Sequence, residues 1–166
     1  MRSILFACLL LAAGPAAAQS QTADAFAWRS FEACNAVFMG QPKEAAAREA
    51  GYRYDNGEWK AEVDGHSFLF ASGPIPRLEG AQICTVTVVA PMSPTGPLAG
   101  QLRDWARREG FSVMKPSTSA AGGDLIGYEE RAGEGRRAGL AQYPEGNPEQ
   151  PARTTLFMNW PPRRLR

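Results

Sequence analysis

Few side chains in this sequence carry chemistry beyond packing, and their spacing decides what each can do. The single histidine, His66, shares a strand face with Phe68 and Phe70 by alternation, which marks a partly buried structural imidazole rather than a general base. Ser67 falls on the opposite face, and the turn at Asp64-Gly65 separates Asp64 from His66. The three therefore do not assemble into nucleophile, base and orienting acid, and no Gly-x-Ser-x-Gly elbow is present. Glu129 and Glu130 are consecutive on a strand and point to opposite faces, while Glu58 and Glu62 flank Lys60 on one solvated face. The run Gly133-x-Gly135-x-x-x-Gly139 lies between two predicted strands, without the strand-to-helix setting of a phosphate loop, and reads as a hairpin turn. With one His, no Cys-x-x-Cys and no Asp-rich loop, the chain offers no zinc or calcium ligand set, so no metal or cofactor is expected.

The cysteines are read through the compartment, and the compartment through the first eighteen residues. Met1-Arg2 is a short positive start, Ile4 to Ala13 is an apolar run containing Cys8, and Ala16-Ala17-Ala18 before Gln19 is a small-residue cleavage site. That order is a secretory signal peptide over residues 1–18, too short in its apolar part to anchor permanently in a bilayer. The expectation is a periplasmic or extracellular protein with no integral membrane segment in its mature part. Cys8 leaves with the signal, and Cys34 and Cys84 remain as an even pair in an oxidising compartment, which predicts a disulfide.

Charge excludes some partners. The 166 residues hold 18 Lys and Arg against 17 Asp and Glu, and without Arg2 the balance is zero, so no nucleic-acid partner is expected. Residues 19–98 hold 6 basic and 9 acidic side chains, and residues 99–166 hold 11 and 8. Only the paired arginines stand out: Arg107-Arg108, Arg136-Arg137 and Arg163-Arg164. Guanidinium clusters grip carboxylate or phosphate bidentately, so Arg136, Arg137, Arg163 and Arg164 are candidate partner-binding residues for an envelope protein or an anionic cell-wall component.

These residues need a scaffold, and the periodicity supplies one. Ala27, Phe31, Cys34 and Phe38 share one helix face over about 25–38, with Asp24 as the expected cap. Gly40, Pro42 and Gly51 bracket a second helix at 42–50, and Leu98, Leu102, Trp105 and Ala106 stripe a third at 97–109. Asn56-Gly57 and Asp64-Gly65 are two-residue hairpin signals joining strands near 52–54, 58–63 and 66–72. Further strands are predicted at 82–90, 111–114, 124–131, 138–143 and 153–160. Residues 91–97 form a proline-rich connector, residues 115–123 and 144–151 form loops, and Pro161-Pro162 starts a tail. Leu102, Trp105, Val86, Val88, Phe31 and Leu156 are the predicted core.

The halves share this element order. Ala47-Arg48-Glu49-Ala50-Gly51-Tyr52 matches Ala106-Arg107-Arg108-Glu109-Gly110-Phe111, and Thr85–Pro91 loosely echoes Thr155–Pro161. The fold class expected is α+β: one antiparallel sheet with helices packed on one face, built from two tandem αβββ units. The organisation read is a signal peptide at 1–18, one domain at 19–162 with sub-repeats at 42–91 and 97–161, and a basic tail at 163–166. Tandem αβ units on one sheet are also used by secreted enzyme inhibitors. The function expected is an exported, non-enzymatic binding or inhibitory module of the bacterial envelope. The alternative is an envelope hydrolase with a dispersed carboxylate or Ser/His site. Intact-mass measurement of the exported protein checks the maturation step: the expected mass begins at Gln19 and lacks the two thiol hydrogens of Cys34 and Cys84, and a mass retaining residues 1–18 refutes it.

Overall fold

The computed structural model describes residues 22–76, 78–89, 95–115, 117–118, 124–131, 135–143 and 152–161. The signal-peptide reading, most of the proline connector, the loop at 144–151 and the tail at 163–166 lie outside the described residues.

Three helices form where the apolar spacing places them. The first, α1 (Ala23–Phe38), buries Phe26, Ala27, Ser30, Phe31 and Cys34 on one face. Its cap is Thr22 rather than Asp24: the Thr22 side chain accepts from the Ala25 N–H at 3.3 Å, and Asp24 sits inside the first turn, where its charge meets the positive helix end. Helix α2 (Lys43–Ala50) follows Pro42 and ends at Gly51, whose φ of 100° requires a residue free of Cβ strain. Helix α3 (Thr95–Arg108) starts two residues earlier than its apolar stripe suggested.

The strands are β1 (Arg53–Asp55), β2 (Glu58–Val63), β3 (His66–Pro74), β4 (Gln82–Val89), β5 (Phe111–Val113), β6 (Ser117–Thr118), β7 (Asp124–Glu130), β8 (Arg137–Tyr143) and β9 (Arg153–Trp160). Asn56 and Gly57, and then Asp64 and Gly65, take positive φ, as the tight turns of twisted hairpins demand. All pairings are antiparallel, in the order β1-β2-β3-β4-β9-β8-β7-β5, with β6 also on β7. Strand β6 falls in a stretch expected to be loop: no hydrophobic run announces it, and only its register against β7 defines it.

That order is palindromic about the β4–β9 pair. Along that path each half contributes four strands, with β6 an addition to the second half, so the shared element order is αββββ rather than αβββ. The short strand after each helix-ending glycine is a full member of the sheet. The matched sequences occupy matching corners: Ala47 and Ala106 are buried, Gly51 and Gly110 both take positive φ, and Tyr52 and Phe111 enter the core.

All three helices cover one face. Helix α1 lies over β3, β4 and β9, and its Phe26 packs edge-on to Phe68 at 4.7 Å. Phe31 meets Trp105 of α3 at 5.1 Å, and Trp105 meets Phe111 at 5.0 Å, so an aromatic row ties α1 to α3 and to the far edge of the sheet. All six predicted core residues are buried. The Cys34–Cys84 disulfide joins α1 to β4 with both cysteines fully buried and Cα atoms 5.5 Å apart. Closing a loop of 50 residues removes unfolded-chain entropy worth about 4 kcal/mol.

Under α1, the Tyr52 hydroxyl donates to Ser30 Oγ at 2.9 Å, and Ser30 Oγ donates to the Phe26 carbonyl at 2.8 Å. Burial is the main cause that holds the Tyr52 phenol far above its ordinary value, against the smaller opposing pull of Ser30 and Arg29. A raised acid ionises first in the unfolded chain, so its contribution is complete below pH 10 and is lost as pH rises through the alkaline range. Urea titrations should therefore show the stability advantage of wild type over Tyr52→Phe constant up to pH 9. It should then shrink by up to about 1.4 kcal/mol per pH unit above pH 10.

Candidate functional site

With one face sealed by helices, the register decides what the opposite face presents. Cys84, Val86 and Val88 of β4 and Leu156 and Met158 of β9 point into the core, so Ile83, Thr85, Thr87 and Val89, with Arg153, Thr155, Phe157 and Asn159, line the other side. Strand β8 adds Arg137, Gly139, Ala141 and Tyr143, and β7 adds Leu125, Gly127 and Glu129. Among the described residues no helix covers this face.

Its centre is shaped by two glycines. A Cβ on Gly139 would collide with the Phe157 ring and stand 2.7 Å from the Ile126 carbonyl oxygen, so Phe157 lies down across β8 because position 139 has no side chain. At Gly127, a Cβ would come within 3.1 Å of Met114 Sδ. Beside them the Arg153 guanidinium stands 4.7 Å over the Tyr143 ring, and the Thr87 and Thr155 hydroxyls meet at 3.1 Å between β4 and β9. Phe157 at one rung and the stacked Tyr143 and Arg153 two same-face rungs further along put two aromatic rings and a guanidinium, residue types enriched at protein interfaces, on one face.

The residues singled out by spacing fall in different places. Arg136 and Arg137 do not form one basic patch, because consecutive residues entering a strand diverge. Arg137 lies on the open face and donates from Nε and Nη2 to Glu129 Oε1 at 3.0 and 2.9 Å. Arg136 lies on the helix side, donates from Nε to Glu130 Oε2 at 3.0 Å, and stacks over Phe38 at 4.8 Å and Phe111 at 5.3 Å. Each arginine is held by the glutamate opposite it, and the two glutamates diverge for the same reason. Arg163 and Arg164 lie outside the described residues.

His66 is half-buried on the same face as Phe68 and Phe70, and its Nδ1 donates to the Asp64 carbonyl at 2.8 Å, fixing the turn. Ser67, on the opposite face, donates to Glu62 at 2.6 Å. Lys60 bridges to Glu58 at 2.9 Å, and that hydrogen bond is the main cause raising the lysine's pKa. Among the described residues no three His, Cys, Asp or Glu side chains converge as a metal site.

The two best-formed depressions among these residues are shallow: about 210 Å³ between α1 and α2, and about 260 Å³ beside the β1–β2 hairpin. Both fall below the roughly 300–1,000 Å³ usual for small-molecule sites. No described helix is long and apolar enough to cross a membrane. The fold defines an α+β protein whose antiparallel sheet has one helix-covered face and one face that no described helix covers. No protein-family model matches the chain, and neither a curated protein nor a solved structure does.

Sequence reasoning missed Phe157, Tyr143 and Arg153 as a group. The pairing of Gly139 with Phe157 brings the first into view, and that pairing requires the register of β8 on β9.

The Arg136–Glu130 pair, with side chains 17% and 12% exposed, clamps β7 and β8 against α1. Glu130→Gln leaves a half-buried guanidinium short of its counter-charge and should cost about 2 kcal/mol in chemical denaturation. The double substitution Glu130→Leu with Arg136→Met should recover most of that loss, since it leaves no uncompensated charge.

Proposed function

We propose that the protein is exported and acts as a non-enzymatic binding or inhibitory module of the bacterial envelope, docking a folded protein partner on the helix-free face of its sheet. The observation that carries this reading is the face bearing Phe157, laid flat by Gly139, and the stacked Tyr143 and Arg153, on a sheet backed by helices and a buried disulfide. A flat aromatic and guanidinium patch suits a macromolecular surface, and the shallowness of both depressions favours such a partner over a small substrate. The lead sequence at 1–18 and the even cysteine pair of the remaining chain support export.

Arg137 sits at the rim of the patch, where a charge paired with Glu129 steers encounter more than it sets affinity. Arg163 and Arg164 extend the same basic reading along the chain, toward an acidic envelope protein or an anionic cell-wall component.

Pull-down from an envelope extract separates these contributions. The wild type should retain a specific protein partner that is lost, with at least about a tenfold fall in affinity, in Phe157→Ala or Tyr143→Ala. Arg137→Ala, alone or with Arg163→Ala and Arg164→Ala, should instead weaken capture most at low salt. A partner retained by both aromatic variants refutes the sheet-face reading. Turnover of a cell-wall or ester substrate by the purified chain, with no partner found, replaces it with the hydrolase reading.

A further inference from the structure

Strand β3 outruns its neighbour. Its pairing with β2 ends at Trp59 and Phe70, whereas its pairing with β4 continues to Pro74 and Gln82. The Ile75 N–H donates to the Ala81 carbonyl at 2.9 Å, so along this register Gly73 and Ala71 turn their backbone groups toward β4. Ser72 and Pro74 turn theirs the other way. The Ser72 N–H and the carbonyls of Ser72 and Pro74 therefore face the space where β2 would have continued. Among the described residues no backbone group pairs with them.

At Ser72 that space opens into the depression of about 260 Å³, which extends over Ala71 and Thr85 on the sheet face. Gly57 and Glu58 of the hairpin close one end of it, Leu69 and Thr85 wall one side, and Lys43 at the start of α2 reaches its rim. We propose that this notch binds the C-terminal end of an extended polypeptide, added antiparallel to β3. The backbone pattern selects a strand, since one donor and two acceptors at strand spacing match another extended main chain. The hairpin selects a chain end: an antiparallel strand running toward Gly57 has nowhere to continue past Ser72. Lys43 selects a carboxylate, because the nearby Glu58 is already engaged by Lys60 at 2.9 Å and the approach of Lys43 to Glu44 is a long 3.9 Å. The notch adjoins the Phe157 face through Thr85, the cross-strand partner of Phe157, but the proposal is argued from the β3 edge and does not rest on that face.

The test is an amide-resolved NMR titration of the full chain. The probe is a pool of N-acetylated hexapeptides, randomised over the last four positions, with free C-terminal carboxylates. The expected result is saturable shifts at the Ser72, Gly73 and Gly57 amides. The same pool carrying C-terminal amides should bind about tenfold more weakly, and Lys43→Gln should remove that discrimination. Ser72→Pro deletes an N–H that β4 does not use, so it should keep the fold, as read by its melting transition, and abolish the Ser72-centred response. Three results overturn the proposal: no saturable shift at Ser72, equal binding of acid and amide pools, or shifts confined to β8 and β9.

Discussion

The ladder between β4 and β9 is the seam on which the remaining structure hangs. Eight residue pairs, from Gln82 with Trp160 to Val89 with Arg153, convert a four-stranded and a five-stranded half into one sheet. Neither half would otherwise be closed, because β4 and β9 would each leave a long edge rich in β-branched residues open to any other strand. Joining them moves the outer edges to β1 on one side and to β5 and β6 on the other, strands of three, three and two residues. Short edges template little. Helix α1 lies over the seam on its core side, and the Cys34–Cys84 bond fixes that helix to one of the two strands.

The lower layer of organisation was legible because simple patterns carry it. Period-two alternation in Glu58–Val63 and Gln82–Val89 gave strands and faces, and the two positive-φ turns were announced by Asn56-Gly57 and Asp64-Gly65. Apolar spacing and turn signals placed the helices and strands in order, and Cys34 and Cys84 read as an even pair in an oxidising compartment. The order of the strands was a different matter. No local pattern states that β4 neighbours β9 or that β8 separates β9 from β7, since register across a sheet depends on which apolar faces meet once both halves are present. Strand β6 and the Thr22 cap were missed for a simpler reason: two polar residues make no periodicity, and Thr22 and Asp24 compete on equal terms until backbone geometry chooses.

The candidate site was less legible than the fold, and the cause is electrostatic as well as topological. Adjacent arginines stand out in a sequence as a concentrated charge, yet in a strand they are sent to opposite faces and here each meets a glutamate sent the same way. Arg136 with Glu130 becomes an internal clamp, and Arg137 with Glu129 becomes a neutralised rim. The face that emerges instead carries Phe157 and the Tyr143–Arg153 pair, residues of unremarkable local context that reach one face only through the β8–β9 register. Gly139 shows how much such a register can decide, since one absent Cβ determines whether an aromatic ring stands up from the sheet or lies along it.

The palindromic order also has a meaning in time. Val86 finds Leu156 across about seventy residues of chain, so the central contact of the sheet is among the most distant in sequence. A chain emerging from its N-terminus can form α1, α2 and β1 to β4 and can oxidise Cys34 with Cys84 before β9 exists. It cannot cover the edge of β4 until β9 arrives. During that interval a covalently closed half-sheet stands with its best strand unpaired, the state in which non-local β proteins are slow to finish and prone to pair with a neighbour. The disulfide that stabilises the finished molecule thus also commits the early half to waiting, and the late-emerging strand acts as an internal cap whose arrival separates folding from association.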